Sequence, residues 1–540
     1  MIHTQKNIIF FIKKLRIKEF VLFIFFILFS YLSNSFAQQK NIPLQTYYKN
    51  QFLKFSGKHS FETFYPVNET YLSLSDSIKD TTTFYYDFHV WFFTKNWIEL
   101  SEKTGKLEIS PLVNFSYGKA STSGDNFPLY RNTRGVYASG GFFNKLSYSF
   151  IFCENQSRFM EYQSSYFNDR GELYDNDSVF SKVNAVIPSG ARTKPFKTGG
   201  YDYAFSYGSF AYQMNAKMRI EAGNNQHFIG SGYRSLLLSD NSIYAPYVRF
   251  LWKPSPKFSY QILYRKHKNL YRKPATFAVE RAYENKFFAA NYLTYKPVSN
   301  FSISLFSAGN QLRADSITKH PFQTQMFVPL PFSNNNLFLK NKLINGISGL
   351  NLDLGFKKAR FYGQVAVDQY SKTYLFAYQT GFYLFDLFKI KNLDVQAEFN
   401  LVPDHFYANE NSKLAYSQYN LPLAHPKGNN FTEIYTNIRY EFKRFYVINS
   451  FLIYITKGGT ISDQIESNSI FISEKDLTTK SSGKTSINMF EIGYHFNKKY
   501  NPTLYFQYQI RTSDFKEIKF LNNFIMGGLK VNLFNQYLDF

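Results

Sequence analysis

The chain has 540 residues, of which 20% are aromatic, yet its mean hydropathy is only −0.33. After position 37 the apolar residues come in short alternating runs, and no run there is long enough for a membrane-spanning helix. The formal net charge is +23, an excess that favours contact with anionic polymers or lipid headgroups. These features exclude a helical membrane protein and indicate a chain built from strands.

The first 37 residues predict a cleaved signal peptide. Five basic residues between Lys6 and Lys18 precede an apolar run from Phe20 to Leu32, and small residues follow at Ser35 and Ala37. An uncleaved anchor is the alternative, but the run is shorter than the ~20 residues of a spanning helix. The remaining residues, 38–540, keep a charge of +19. For an exported chain we expect anionic surface glycan or lipid as partners, and no nucleic acid.

Residues 38–80 are polar and weakly patterned, which predicts a periplasmic lead-in or a first hairpin. Period-two alternation begins at Thr83, and we predict a β-barrel domain over residues 81–540. A strand near 84–93 and one over 107–117 precede about seventeen further segments. These lie near 134–143, 145–156, 201–207, 209–222, 245–253, 257–265, 286–296, 299–309, 348–357, 359–369, 372–386, 392–402, 431–441, 443–456, 485–496, 502–511 and 523–534.

The fold class predicted is all-β, a transmembrane antiparallel barrel of 16–18 strands with segments folded into the lumen. Each segment approaches the ~9–11 residues that cross a bilayer at a tilt, and bacterial barrels have even strand counts. Tight polar turns at 356–360 and 442–445 suit the periplasmic side. Polar inserts at 157–200, 310–345, 404–430 and 457–484 suit extracellular loops. A soluble sandwich is the alternative, but one core would not need so many aromatic side chains.

The last strand and Phe540 give the chain an aromatic C-terminus, which we expect the barrel-assembly machinery to recognise. The single cysteine, Cys153, lies in an alternating segment and is predicted to be a small apolar side chain.

The sequence predicts a protein that is not an enzyme and that needs no cofactor. No histidine or cysteine spacing typical of a zinc site occurs, nor does the Gly-x-Ser-x-Gly pattern of hydrolases. His405 and His425 could each pair with a distant serine, but a catalytic site is defined by geometry that a sequence does not show.

Two segments differ in composition from both strands and ordinary loops. The first, residues 223–242, has polar ends around Leu236, Leu237 and Leu238, which predicts a segment folded into the lumen. In it Arg234 could pair with Asp240 or hold a carboxylate or phosphate. The second, residues 416–430, is rich in side chains that both donate and accept hydrogen bonds, as sugar-binding residues do. The candidate residues for polysaccharide binding or for a lumenal plug are Arg234, Asp240, Asn241, Tyr416, Tyr419, Asn420, His425, Asn429 and Asn430.

These two segments resemble the Wzi-type capsule-assembly proteins, and most closely their gliding-motility branch typified by RemB. The matching stretches are Gly-Ser-Gly-Tyr-Arg-Ser-Leu-Leu-Leu-Ser-Asp-Asn at 230–241 and Tyr-Asn-Leu-Pro-Leu-Ala-His-Pro-Lys-Gly-Asn-Asn at 419–430. The resemblance spans residues 60–540. It implies an integral outer-membrane barrel of about eighteen strands that attaches or organises surface polysaccharide, with a role in gliding motility or adhesion.

The main hypothesis is therefore a non-enzymatic barrel for capsule assembly. The alternative is a transport pore or an accessory barrel of a secretion or gliding machine, which would have motility or secretion proteins as partners.

Overall fold

The computed structural model describes the chain from residue 45 to its last residue with gaps. The described residues are 45–61, 63–67, 97–102, 104–122, 125–143, 145–176, 179–190, 193–272, 283–314, 319–333, 343–460, 480–496, 502–515, 518–531 and 535–540. The predicted signal peptide and the predicted strand near 84–93 lie outside them.

Eighteen antiparallel strands form a closed barrel. In chain order they are β1 Gly105–Thr122, β2 Asp125–Phe142, β3 Leu146–Arg158, β4 Gly200–Asn215, β5 Met218–Asn225, β6 Ala245–Ser255, β7 Phe258–Asn269, β8 Glu284–Val298, β9 Phe301–Ala314, β10 Ile344–Gly355, β11 Ala359–Tyr370, β12 Thr373–Leu384, β13 Leu393–Val402, β14 Phe431–Phe442, β15 Phe445–Thr460, β16 Lys480–His495, β17 Pro502–Phe515 and β18 Ile518–Val531. Strand β18 closes the ring by pairing with β1, from Lys530 opposite Asn114 to Asn522 opposite Thr122. The predicted fold class is confirmed, at the upper of the two strand counts.

The alternating pattern of each strand separates a lumenal face from an outer face. On β14, Glu433 and Tyr435 point inward and are buried, whereas Ile434 and Ile438 point outward and are exposed. The same outward exposure recurs on other strands, for example at Phe115, and an apolar outer band is typical of transmembrane barrels. Among the described residues, no helix has the length and apolarity needed to cross a membrane.

The connections differ in length between the two ends of the barrel. One end, called here the turn end, has tight turns such as those between Gly355 and Ala359 and between Phe442 and Phe445. The other, the loop end, has the connections that contain the four predicted inserts, together with those after β5 and β7. The predicted break between the segments 201–207 and 209–222 was wrong. Gly208 lies inside β4, and the turn falls between Asn215 and Met218. Glycine is needed at 208 because a Cβ there would lie 2.3 Å from the ring of Phe150.

Short elements lie inside the barrel or extend its wall. Helix α1 (Thr46–Ser56) lies at the turn end, where Lys54 forms ion pairs with Asp386 and Asp394 at 3.0 and 2.9 Å. Helix α2 (Glu161–Asp169) belongs to the insert after β3. Three small sheets form from short strands: Phe64–Tyr65 pairs with Phe228–Ile229, Ser417–Gln418 with Leu421–Pro422, and Glu172–Asn176 with both Val179–Val183 and Tyr271–Arg272. Two more short strands extend the wall, Ile98–Ser101 beside β1 and Lys194–Phe196 beside β4. The 3-10 turns lie at Thr324–Phe327, Leu387–Lys389 and Ser412–Leu414.

The described part of the predicted lead-in, residues 45–61 and 63–67, packs inside the barrel. Arg360 on β11 donates to the Ser56 hydroxyl at 2.6 Å and to the His59 carbonyl at 2.8 Å. Phe64 stands opposite Ile229 in the short lumenal sheet. This segment therefore helps to fill the lumen from the turn end.

The main apolar core lies within the lumen. Leu236, Leu237 and Leu238 are fully buried there, in one cluster with Tyr292, Phe306 and other inward residues of the wall. The C-terminal residues, 535–540, also enter the lumen, where Phe540 stacks on Tyr166 with 3.7 Å between ring centroids. The closing strand ends at Val531, so the terminal aromatic residue is not the end of a barrel strand.

Candidate functional site

The two segments singled out in the sequence meet inside the barrel. The first lies in the connection from β5 to β6 and the second in the connection from β13 to β14. The Tyr416 hydroxyl donates to the Leu237 carbonyl at 2.9 Å, and the Ser239 amide donates to the Leu423 carbonyl at 2.7 Å. The two connections thus form one body, called here the plug, together with helix α1 and the C-terminal tail (residues 535–540).

Arg234 lies at the centre of the plug. Its guanidinium is buried and donates to Glu433 on β14 at 3.2 Å and to the Tyr454 hydroxyl at 3.0 Å, and it lies 3.0 Å from the Asp539 carboxylate. Burial acts to lower the pKa of Arg234, but Asp539, Tyr454 and Glu433 outweigh it and hold that pKa well above its usual value. The arginine is therefore a fixed cation that joins the first segment to the wall and to the C-terminus.

The turn that presents Arg234 is held by a second buried carboxylate. Glu398 on β13 accepts hydrogen bonds from the backbone amides of Tyr233 and Arg234 at 2.7 and 3.1 Å. The Tyr362 hydroxyl also donates to Glu398, at 2.8 Å. Gly232 is required in this turn, because a Cβ there would lie 2.4 Å from the same carboxylate. The glycines of the motif thus allow the backbone to approach the wall closely.

Asp240 does not pair with Arg234, as the sequence had suggested it could. Instead it accepts hydrogen bonds from the Asn535 amide and the Tyr537 hydroxyl, both at 2.8 Å. Burial raises the pKa of Asp240, while these two donors and Lys49 act to lower it. The carboxylates that pair with Arg234 belong to Glu433 and Asp539. The prediction that Arg234 could hold a carboxylate is therefore met by groups of the protein itself.

The polar residues of the second segment also bond mainly within the plug. His425 contacts Glu433, and burial lowers the pKa of His425 although that carboxylate acts to raise it. The Asn420 amide donates to the carbonyls of Arg170 and Gly171, both at 3.3 Å. The side-chain amide of Asn241 donates to the Pro422 carbonyl at 3.4 Å, and that of Asn429 donates to the Phe406 carbonyl at 3.1 Å. The backbone N–H of Asn430 donates to the Pro403 carbonyl at 3.1 Å.

Tyr419 differs from the other candidate residues because it is not fully buried. Its ring lies 5.8 Å from that of Tyr283, near the loop end, and its amide donates to the Lys268 carbonyl at 3.0 Å. Of the nine predicted site residues, the other eight are buried in this structure. Seven of them join the plug through their side chains and Asn430 through its backbone N–H, whereas Tyr419 is only partly buried.

Sequence reasoning missed the C-terminal tail as part of the plug. Asn535 and Tyr537 hold Asp240, Asp539 holds Arg234, and the Leu538 carbonyl accepts from the Tyr162 hydroxyl of α2 at 3.2 Å. The available signal was the mixed polar and aromatic composition of the residues that follow the last alternating strand. By its alternation alone, the sequence favours a closing strand with Phe540 as its aromatic end. Lys49 of α1 was also missed, and it donates to the Gly232 carbonyl.

The described residues of the plug include no cluster typical of a metal site. Within the described ranges, no three His, Cys, Asp or Glu side chains lie close enough together to hold a metal ion. Cys153 is buried in the wall among apolar neighbours, as its position in an alternating segment predicted.

Comparisons with known proteins agree with this architecture. The family model "Capsule assembly protein Wzi" matches residues 151–519. The structure is similar to that of Wzi from Escherichia coli, described as an outer-membrane protein involved in group 1 capsule assembly and a carbohydrate-binding β-barrel. That match has a TM-score of 0.51 at 10% identity and covers 90% of this chain and 98% of the other.

A BenF-like porin from Pseudomonas fluorescens Pf-5 matches with a TM-score of 0.42 at 10% identity, covering 81% of this chain and 100% of the porin. No curated protein matched by sequence. The family model covers well over half of the chain, and the family consists of non-enzymatic outer-membrane barrels, as the sequence predicted for this chain. This integral outer-membrane protein belongs to the Wzi family of capsule assembly proteins.

Proposed function

We propose that this barrel binds surface polysaccharide and holds it at the cell surface as part of capsule assembly. The observation that supports this most is the plugged lumen, because a transport barrel would need an open one. Buried ion pairs and hydrogen bonds join both long connections, helix α1 and the C-terminal tail across the barrel. The similar Wzi protein is described as carbohydrate-binding, which fits a barrel that retains polymer and does not conduct it.

The polymer would contact the loop end, with the plug as its support. Tyr419 is the predicted site residue with exposed surface, and aromatic rings such as those of Tyr419 and Tyr283 offer flat apolar faces to sugar rings. Arg234, Asp240 and the other buried candidates would act indirectly by fixing the loops that present this surface. The net charge of the chain favours an anionic polymer.

The test is the split between cell-bound and shed polysaccharide in a strain that lacks the protein and in complemented strains. We expect more shed polymer with unchanged total, and restoration by the wild-type gene. Tyr419→Ala should raise the shed fraction without loss of folded barrel, whereas Tyr117→Ala, on the exposed outer wall, should behave as wild type. An unchanged split in the deletion strain, together with failure of the purified protein to bind the polymer, would contradict the proposal.

The resemblance to the gliding-motility branch extends this proposal. The two motifs that support the resemblance are also the two connections that interlock in the plug, through Tyr416, Leu237, Ser239 and Leu423. Retained polymer would then serve adhesion and surface movement, with motility or secretion proteins as partners. A deletion strain should spread less on a surface while it grows normally in liquid, and normal spreading would limit the role to the capsule.

We also propose the export route predicted from the sequence. Residues 1–37 would be removed, and the barrel-assembly machinery would insert the chain among outer-membrane lipids. Sequencing the N-terminus of the purified protein should give Gln38 as the first residue. A protein that retains the leader would contradict the predicted cleavage.

A further inference from the structure

We propose that the lumen holds a small monovalent anion, of the size of chloride, bound by Arg265 on β7 beside His227 and His267. This site lies where strand β7 of the wall meets the first segment of the plug, to which His227 belongs. It would serve the stability of the plug and needs no contact with polysaccharide.

The three side chains lie on one side of the lumen. Arg265 stands opposite Tyr247 on β6 and opposite Phe288 on β8, and His267 follows two residues later on the same inward face. The ring of His267 stacks on Phe288 with 4.7 Å between centroids. The ring of His227, in the plug, packs edge-on against Tyr247 at 4.5 Å. The rings of Phe288 and Tyr247 therefore line the site.

Several nitrogen atoms of this group have no hydrogen-bond partner among the described residues. They are Nε and Nη1 of Arg265, both ring nitrogens of His227, and Nε2 of His267. Nδ1 of His267 donates to the Asn310 amide oxygen at 3.0 Å, so Nε2 of the neutral His267 ring is an acceptor, and the donors without partners belong to Arg265 and His227. Among the described residues, the one hydrogen bond of the Arg265 guanidinium is long, from Nη2 to the Ile243 carbonyl at 3.4 Å. Arg265 is 1% exposed and both histidines are 0% exposed, so bulk water does not reach these groups. Buried donors without partners are rare in native proteins and point to a bound species.

The neighbouring buried cations on β6 and β8 have partners within the protein. Arg249 on β6 donates to the carbonyls of Phe64 and Pro66 at 2.9 and 2.8 Å and lies 3.6 Å from the Glu221 carboxylate. Lys286 on β8 donates to the Ser417 carbonyl at 2.8 Å. Arg265, by contrast, forms no ion pair with any residue in the described part of the chain.

An unpaired buried guanidinium needs a counter-charge. Arginine does not lose its proton in proteins, and an isolated charge in an apolar interior is strongly unfavourable. Burial holds the pKa of His227 well below its usual value, and Arg265 and Arg249 lower it further, so this ring is neutral. A neutral imidazole still donates one N–H. The site therefore offers one fixed positive charge and additional donors, which suits a single monovalent anion.

The size of the occupant follows from the enclosure. The lining side chains are buried, so a sugar polymer does not reach them. A monatomic halide accepts hydrogen bonds from several directions and fits a site with guanidinium and imidazole donors.

The direct test is crystallographic. The mature protein would be purified in gluconate buffer without halide, crystallised, and soaked in bromide. We expect an anomalous peak within hydrogen-bond reach of Arg265 Nε and Nη1. A map that shows only ordered water at this position, or no density, would overturn the proposal.

Solution stability provides a second test with a matched control. In gluconate buffer, added chloride should raise the folded-to-unfolded ratio of the wild type, by about 100-fold at a concentration 100 times the Kd. Arg265→Met should abolish the chloride dependence, whereas Arg249→Met, the matched control in the same wall, should keep it. An equal chloride effect in wild type and Arg265→Met would contradict the site. If Arg265→Met does not assemble, the wild-type bromide map decides. Neither readout depends on polysaccharide binding, so the two proposals fail independently.

Discussion

Arg234 joins three parts of the chain that are remote in sequence. It belongs to the connection after β5, its partner Glu433 belongs to β14, and Asp539 lies in the C-terminal tail. Arg234 and Glu433 are fully buried and Asp539 is partly buried, so Arg234 and Glu433 depend on each other for their counter-charge. The plug is therefore most sensitive to single substitutions at this point.

Replacing Arg234 with methionine keeps much of the side-chain volume but removes the charge. We expect Arg234→Met to lower the free energy of unfolding by about 3–5 kcal/mol, because Glu433 and Asp539 lose their buried counter-charge. Thermal or urea unfolding in detergent measures this. Lys217→Met, in an exposed turn, is the matched control and should change little. Equal stability of the two variants would show that the arginine network is dispensable.

Lys49 predicts a dependence of stability on alkaline pH. Burial lowers its pKa from 10.5 to about 8, although Asp240 and Glu398 act to raise it. Because the folded protein favours the neutral amine, the stabilising contribution is complete above pH 10.5 and is lost as the pH falls toward 8. The shift corresponds to about 3 kcal/mol. We expect the wild type to gain stability over this window relative to Lys49→Met, and parallel pH profiles of the two proteins would contradict this.

At the scale of elements, the C-terminal tail is the part that connects the others. It follows the closing strand in the sequence and lies in the lumen. There it contacts the first segment through Asp240 and Arg234, and helix α2 through Tyr162. Terminal segments of a chain are commonly mobile. In this protein, buried hydrogen bonds and ring stacking fix the C-terminal tail. The tail therefore holds the first segment and helix α2 together.

Deletion of residues 535–540 should loosen the plug without changing the barrel wall. Asp240 and Arg234 would lose their C-terminal partners, so we expect intermittent conductance in planar bilayers and faster cleavage of the plug by proteases. Phe540→Ala is the milder comparison, because it removes the ring contacts with Tyr166, Tyr162 and Phe167 but keeps the partners of Asp240 and Arg234. A truncated protein as silent in bilayers as the wild type would show that the two connections seal the lumen without the tail.

At the scale of the whole molecule, the barrel separates two apolar surfaces, a lumenal core and an outer band. Ile438 lies on the outer face near the middle of β14, and its neighbours Asn437 and Arg439 belong to the inward set. This arrangement explains how a chain of low mean hydropathy can have such a large share of aromatic residues. It also predicts which substitutions the membrane will not tolerate.

Ile438→Lys should destabilise the membrane-inserted barrel by about 2–4 kcal/mol, the cost of a lysine near the bilayer midplane. Unfolding in lipid vesicles measures it, with Ile438→Leu as the matched control. The effect should shrink in detergent, where the charged group reaches water more easily. A lysine variant as stable as the leucine variant in vesicles would show that this face does not meet lipid.

The wall of the barrel could be predicted from the amino-acid sequence, because period-two alternation is local and each strand shows it without reference to its partners. The tight turns at 356–360 and 442–445 were correct for the same reason. The break between the predicted segments 201–207 and 209–222 was wrong, because the reason for Gly208 is the ring of Phe150 on β3. The sequence also singled out the two connections that form the plug. Which carboxylates hold Arg234, that Asp240 bonds to the tail, and that Phe540 lies inside the lumen were decided only by the tertiary structure, because a buried charge is satisfied by groups near in space, whatever their distance along the chain.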